Sequence, residues 1–441
     1  MRISIGVDSV DSQYGGCTTH ALYRLFKNLL EKNYVEAVLD YPHLVRLNPS
    51  IPRKTRGNGA VAIDLEIRSG VTVELVATEV AEALERYLDE TGGNPSRACA
   101  AVVLHGDAGR FRELYFRALT DFVHLDYVAK LVGVCGGSVL LPLGFNEGCV
   151  GALAAVGWDR SRCTYELLLY RKNRLTPERI LHLGRLAEID RSPEYETFCS
   201  YDYESGRAIS VPRGPDPVLV GIRGLNPDKL TQIARSAKIA EDVEGWFLFK
   251  TNQAVGAHLV PRASADLKPF RTGCVLGVVT RVSTRPGGDV LLEVSDGYGS
   301  LGVAVFRETG LTRYVRNLVV GDVVRVCGST KLWSDSNYVL HAELVEVVEL
   351  AEVYVKHNPR CPNCGARVKS AGRGKGFKCV KCGFRSRNLP YELSRKPREI
   401  DVGTYLPSCG SAKHLSIPSP LLKVEVGSCE RRPSSLTDFY S

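Results

Sequence analysis

Two cysteine pairs, Cys361-Pro-Asn-Cys364 and Cys379-Val-Lys-Cys382, constrain the fold of this chain more than any other feature. Fourteen residues separate them, a spacing that lets two CxxC knuckles present four thiolates to one tetrahedral metal. A redox pair or a disulfide staple would use the same letters. A redox CxxC, however, normally occurs once beside a βαβ unit, and staples belong to small secreted chains. The spacing therefore predicts a structural zinc ribbon, with Cys361, Cys364, Cys379 and Cys382 on Zn²⁺ and Ser370–Lys378 closing a β-hairpin.

The knuckles lie in a basic stretch. Residues 351–400 hold thirteen Lys and Arg against three Glu, +10, while the whole chain of 441 residues is +8. The remainder therefore sums to −2, and zinc thiolates would return only about two units of charge. A positive field confined to one small module is the footprint of a nucleic-acid partner, with a solvated Lys/Arg face as the plain alternative. Upstream, residues 274–283, 289–294, 299–306, 321–328 and 338–348 read as strands, with a short helix near 311–318 between the third and fourth. That is the element order of an OB barrel. Trp333, Tyr338 and Phe377 could stack on bases or fill a core.

A chain this long must divide into several cores. Residues 1–265 alternate strand and helix. Strands are expected at 3–7, 61–67, 100–104, 164–170, 218–223 and 245–250, and helices at 18–32, 77–91, 111–130, 149–155 and 226–239. The last strand–helix–strand is half of a ferredoxin-like unit. The expected divisions are a kinase-like α/β domain over 1–160, a ferredoxin-like domain over 161–265, the OB fold over 268–352, the ribbon over 353–390 and a Pro/Ser-rich tail over 391–441. No stretch is long and apolar enough to cross a bilayer. The N-terminus enters a strand directly, without a signal-peptide pattern, which reads as cytoplasmic. The ten other cysteines are scattered singly, as buried reduced thiols would be. A single Met leans toward a thermophilic source, where intracellular disulfides also occur.

Chemistry-bearing residues cluster near the N-terminus. Gly6-Val-Asp8-Ser-Val-Asp11-Ser places two carboxylates in a turn after a strand, suited to Mg²⁺ on nucleotide phosphates. Cys17-Thr18-Thr19 opens a helix whose amides favour an anion. An Asx-turn and a threonine cap would give the same letters. Pro52-Arg-Lys54-Thr-Arg56-Gly-Asn58 sets cations beside glycine, and Asn146-Glu-Gly148-Cys-Val-Gly151 could form a second phosphate-facing loop. Tyr201-Asp202-Tyr203-Glu204 offers carboxylates between aromatics, as a cationic ligand would require.

Taken in order, these segments resemble the archaeal tRNA 2-agmatinylcytidine synthetase family. The resemblance is carried by Gly6-Val-Asp8-x-x-Asp11, Cys17-Thr18-Thr19, Arg46-Leu-Asn48 through Asn58, Gly151-Ala-Leu-Ala-Ala-Val-Gly157, Gly221-Ile-Arg223 and Thr251-Asn252-Gln253. It implies an ATP-dependent ligase that phosphorylates the C2 oxygen of the wobble cytidine in a CAU-anticodon isoleucine tRNA. Agmatine then displaces that oxygen. It further implies Asp8 and Asp11 on Mg²⁺, Thr18 as an autophosphorylated threonine, and Lys54, Arg56, Asn58, Gly148 and Gly151 around ATP. Asp202 would hold the agmatine cation. Two positions depart from the pattern: Ser9 replaces an Asp, and Glu147 stands where an Arg is expected. The alternative they raise is an RNA-binding paralogue that retains only the OB fold and ribbon.

Overall fold

The computed structural model describes all residues except 173–178, 180, 204–205, 237, 240–242, 335–336, 425 and 428. The first half is built on one nine-stranded sheet. Its early elements are β1 (Arg2–Asp8), α1 (Thr18–Glu31), β2 (Val35–Val38), β3 (His43–Arg46), β4 (Gly59–Ile67), α2 (Val73–Thr91) and β5 (Cys99–Leu104). Next come α3 (Arg112–Thr120), α4 (Leu125–Cys135), β6 (Val139–Leu140) and α5 (Gly148–Val156). The ferredoxin-like half follows as β7 (Thr164–Arg171), α6 (Leu183–Arg191), the hairpin β8 (Tyr201–Asp202) and β9 (Arg207–Ala208), β10 (Val218–Gly224), α7 (Pro227–Ser236) and β11 (Val243–Thr251).

The strand order is β10-β7-β11-β3-β4-β1-β5-β6, with β2 also on β4. The two halves meet where β11 runs parallel to β3, pairing Lys250 with His43 and Thr251 with Leu44. Central strands covered on both faces need apolar residues throughout. β4 meets that demand except at Glu66, part-exposed beside Arg2, and at buried Asp64, whose carboxylate accepts from Ser4 at 2.6 Å and pairs with Arg160 at 2.7 Å. The helix expected over 111–130 is two helices. It breaks at Asp121, which is extended and holds Arg262 at 2.5 Å and Arg271 at 2.9 Å, cations from the approach to the barrel.

The barrel is closed: β12 (Thr272–Thr284), β13 (Val290–Ser295), β14 (Ser300–Val305), α8 (Thr312–Val315), β15 (Val323–Leu332) and β16 (Tyr338–Glu349). Strands run in the order β14-β13-β12-β15-β16, and β14 returns to β16 through Val303–Leu340 and Ala304–His341. Inward alternation of Val and Leu supplies its core. The ribbon stands on a two-stranded stalk, Tyr354–His357 against Glu392–Arg395, and contains the three short strands Lys369–Ser370, Phe377–Lys378 and Arg385–Ser386. Phe377 is buried beside Val368 in the ribbon's own small core. It fills that core, so it is not free to stack on a base.

The tail is ordered over most of its length, although its composition gave no element to expect. Gly403–Tyr405 adds a sixth strand to the barrel sheet on β16. Ala254 N–H donates to the His414 carbonyl at 2.8 Å, and Gly256 N–H to that of Leu415 at 2.9 Å. Phe439 is fully buried against Phe26 and Phe247. The expectation of reduced thiols is corrected at eight positions, paired as Cys99–Cys149, Cys163–Cys429, Cys199–Cys409 and Cys274–Cys327. Two of these bonds fasten the tail to the ferredoxin-like half. The partners lie 266 and 210 residues apart in sequence, so no local pattern could have paired them.

Candidate functional site

Two cavities flank the turn that leaves β1. The first, about 440 Å³, lies between Asp8 and Ser9, the 51–58 loop, the α3–α4 break and the start of α5. Asp8, Lys54, Asn58 and Gly151 line it, as do Arg53, Arg97 and Glu147. Asp8 is buried, and burial pushes its carboxyl up to about 8, aided by Asp11 and opposed by the Ser9 N–H and Arg97. Such a carboxyl is short of positive charge in the free protein. A Cβ at Gly151 would overlap Asp8 Oδ2, so glycine there lets α5 seat its first turn directly on the carboxylate.

Asn58 is held by its Nδ2 donating to the Asn48 carbonyl at 2.8 Å. Gly148 opens α5, and its N–H donates to Asn146 Oδ1 at 2.9 Å; it is not among the lining residues. Arg56 opens the single helical turn Arg56–Asn58, but its side chain lies outside the described residues. The Glu147 carboxylate is engaged by Arg53 at 3.1 Å, so the acidic residue at this departure is paired and Arg97 remains in the wall.

The second cavity, about 360 Å³, opens between β3, the start of α1, β7, β10 and the segment after β9. Asp11 and Thr18 face it rather than the first cavity. Asp11 Oδ1 accepts from the Thr18 N–H at 3.0 Å and Oδ2 from the Thr18 hydroxyl at 3.1 Å. The same contact satisfies an amide of the α1 N-terminus and orients a hydroxyl with an acceptor on its proton. Thus Asp8 and Asp11 sit on walls of different cavities and are coupled electrostatically across the turn. Burial, then Asp216 and Asp11, drives the Cys17 thiol up to about 12, so it is not a nucleophile at neutral pH.

Sequence reasoning missed the titratable lining residues Glu166, Arg213, Asp216 and His414 here. Glu166 could have been noticed as the one carboxylate in the strand TYELLLYR. Asp216 hides among prolines and glycine, and His414 lies in the tail. Asp202 is on the β8–β9 hairpin, and Ile209 and Ser210 just beyond it reach the cavity wall; Asp202 itself does not line either cavity. Glu204 lies outside the described residues.

In the ribbon, the Sγ atoms of Cys361, Cys364, Cys379 and Cys382 lie within 4.8 Å of one another. The closest pairs, Cys361–Cys382 and Cys364–Cys379, are both 3.5 Å apart. Tetrahedral zinc with Zn–S bonds of about 2.3 Å needs sulfurs about 3.8 Å apart. The Cys379 thiol is lowered to about 6, chiefly by the Cys382 N–H. Despite the Phe384 N–H, the Cys382 thiol is pushed up to about 12 beside the other three sulfurs, so metal binding there must displace a proton. The four ligands fit zinc.

An α/β body with two cavities holding charged side chains about one turn, joined to an OB barrel and a basic zinc ribbon, defines a nucleotide-using enzyme that acts on nucleic acid. Comparison with known proteins agrees. Residues 4–138 match the TiaS TCKD domain, 146–258 the TiaS FLD domain, 274–348 an OB-fold nucleic acid binding domain and 358–400 the TiaS C-terminal zinc ribbon domain. The isoleucine-tRNA 2-agmatinylcytidine synthetase TiaS of Ignisphaera aggregans is 35% identical over 94% of this chain and 92% of its own. Two crystal structures of TiaS, one in complex with its isoleucine tRNA and ATP and one with that tRNA, AMPCPP and agmatine, superpose with TM-scores of 0.83 and 0.80, at 31% and 29% identity. Each covers 98% of this chain and all of its own. The chain belongs to the isoleucine-tRNA 2-agmatinylcytidine synthetase family, TiaS.

Proposed function

We propose that this protein uses ATP to join agmatine to C2 of the wobble cytidine of a CAU-anticodon isoleucine tRNA, with the first cavity taking the nucleotide and the second the amine. The observation that carries this reading is the pair of cavities about the β1–α1 turn, each lined by charges of both signs. Arg53, Lys54 and Arg97 line the first with Asp8, Asp121, Asp126 and Glu147, while Asp11, Glu166 and Asp216 line the second with Arg46, Arg213 and Arg223. Lys54 and Arg97 beside the buried Asp8 suit a polyphosphate with its metal, and the Asp11, Glu166 and Asp216 carboxylates suit a cationic amine.

Oxide is a poor leaving group, so the C2 oxygen must first accept a phosphoryl group from ATP. The agmatine amine then attacks C2 and gives up a proton, and phosphate departs with the former oxygen. Such transfer depends mainly on positioning and charge neutralisation. Lys54 and Arg97 supply positive charge to the phosphates, and Asn58 fixes the loop that carries Lys54. The Thr18 hydroxyl, oriented by Asp11, faces the second cavity, so it would accept a phosphoryl group on the protein only from a nucleotide whose terminal phosphate reaches past the β1–α1 turn. Mg²⁺ would fit Asp8, whose burial outweighs the nearby Arg97 and leaves its carboxyl raised; bound there, it would neutralise phosphate oxygens. Asp202 lies outside the cavity lining and would act on the cation only through its hairpin, which leads to Ile209 and Ser210 in the wall. The target base must leave its anticodon stack to enter the site. The barrel and ribbon would hold the tRNA meanwhile.

Ser9 and Glu147 do not favour the RNA-binding alternative. Asp8, Asp11, Thr18 and Lys54 all remain at the cavities, and Glu147 is paired with Arg53. The test is mass spectrometry of nucleosides from a CAU-anticodon isoleucine tRNA transcript incubated with the protein, Mg-ATP and agmatine. An ATP-dependent agmatine–cytidine adduct is expected. Its absence, with tRNA still bound, would overturn the reading in favour of a binder.

A further inference from the structure

The four matched domains end at residue 400, yet the wall of the second cavity is completed by a residue from beyond that point. His414 arrives on the tail, whose course is fixed on every side. The Cys199–Cys409 bond holds it before the histidine and Cys163–Cys429 after it. Lys413 pairs with buried Glu343 of the barrel at 2.7 Å, and the His414 carbonyl accepts from Ala254 N–H.

The imidazole enters a closed ring of four side chains. Its Nδ1, protonated in the neutral ring, donates to Gln253 Oε1 at 2.8 Å, and Arg223 Nη2 lies against the same nitrogen at 3.1 Å without a hydrogen bond to it. Gln253 Nε2 donates to Glu166 Oε2, and Arg223 Nε lies 3.5 Å from Glu166 Oε1. Glu166 is therefore gripped through two partners that both meet His414. The opposite edge of the imidazole would stand 3.0 Å from a Cβ at Gly57, in the turn that continues to Asn58. Asn58 is independently anchored by its N–H to the Thr55 carbonyl and its Nδ2 to Asn48, so the nucleotide loop does not depend on the histidine.

We propose that His414 is a positioning residue for the amine substrate: from the tail it sets the Gln253–Glu166–Arg223 ring so that the Glu166 carboxylate meets a cationic ligand. This rests on the assignment of the second cavity to agmatine. Arg46 first, then burial, Arg223 and Lys54, hold the imidazole well below its usual pKa, so the residue works as a neutral hydrogen-bonding group. A protonated ring would add a third positive charge between Arg46 and Arg223.

The test is steady-state kinetics of full-length, zinc-loaded H414A, H414N and E166Q with tRNA transcript, ATP and agmatine. His414→Ala is expected to raise the agmatine KM at least tenfold while kcat and the ATP KM change less than threefold. His414→Asn places an amide where Nδ1 stood and should return the agmatine KM to within about threefold of the native value. A merely structural role would shift ATP and agmatine parameters together and would not distinguish Asn from Ala. An agmatine KM unmoved by H414A but raised by E166Q would overturn the role of His414 and keep the cavity assignment. An agmatine KM unmoved by E166Q would overturn the cavity assignment and the inference with it. Should H414A fail to fold, H414N against His414→Gln decides the matter, because the longer amide reaches the Nε2 position instead; equal agmatine KM values for the two would overturn the proposal.

Discussion

At the residue scale, Asp8 carries most of the physical tension in the site. Its carboxyl sits at about 8 against an ordinary 3.8 because it is buried, so the folded protein binds this proton more tightly than the unfolded chain. The stability it contributes is complete below about pH 4 and is lost as pH rises through about 8. Asp8→Asn removes that dependence. The ligand-free variant should melt higher than the native protein at pH 8 and show little difference at pH 4, while adduct formation falls at least a hundredfold. Thermal scans across pH read the first effect and nucleoside mass spectrometry the second. A second consequence concerns proton release. At pH 7 a cation on Asp8 must displace a proton. Calorimetry of Mg-ATP binding in buffers of different ionisation enthalpy should show a release that D8N abolishes. Gly151→Ala approaches the same carboxylate from the other side, by direct overlap, and should lose activity comparably. Asp8, Gly151 and Lys54 were legible because they lie in short motifs whose letters have few other uses. Glu166, Asp216 and His414 were not. Each is a single polar residue outside any motif: Glu166 and His414 meet partners on other elements, Asp216 accepts from the nearby Val218 N–H, and a lone residue has no spacing to read.

At the scale of elements, the ribbon and barrel were legible for opposite reasons. Two CxxC knuckles define the ribbon by ligand spacing, and strict strand alternation defines the barrel. The tail was illegible because its partners are distant: Phe439 packs on Phe26, and Gly403–Tyr405 pairs with β16. That topology changes which deletion isolates tRNA binding. Truncation at residue 353 removes the ribbon, but also the added strand, two disulfides and the wall containing His414. It should therefore lose both tRNA binding and agmatine binding, and melt well below the intact protein. Excision of residues 358–391 alone, joining the cross-strand pair His357 and Glu392 through a two-residue Gly-containing turn, spares the tail. That variant should bind agmatine within threefold of the intact protein and lose at least tenfold in tRNA affinity at 150 mM salt. The slope of log affinity against log salt should also become shallower, since ribbon cations no longer meet phosphate.

At the scale of the whole molecule, covalent bonds tie segments that the chain order keeps apart. The bond Cys163–Cys429 closes a sequence separation of 266 residues and Cys199–Cys409 one of 210. Closing the outer loop raises the free energy of the unfolded chain by about 5 kcal/mol in the loop-closure picture, and the inner bond, nested within it, adds less. The tail therefore stays docked through covalent constraint and the burial of Phe439, although much of its surface is polar. With fourteen cysteines, eight of them bonded, the unfolded chain should titrate six thiols without reductant under chelation: Cys17, Cys135 and the four of the ribbon. With reductant the count should rise to fourteen. Fourteen alkylated cysteines, counted by intact mass in protein denatured and alkylated at lysis without reductant, would show that the four bonds do not form in the cell. The functional side of the same argument is ordered. Cys409→Ser frees the tail just before His414, so reduction of that one bond should raise the agmatine KM before it lowers tRNA affinity, which rests on the ribbon and its separate zinc.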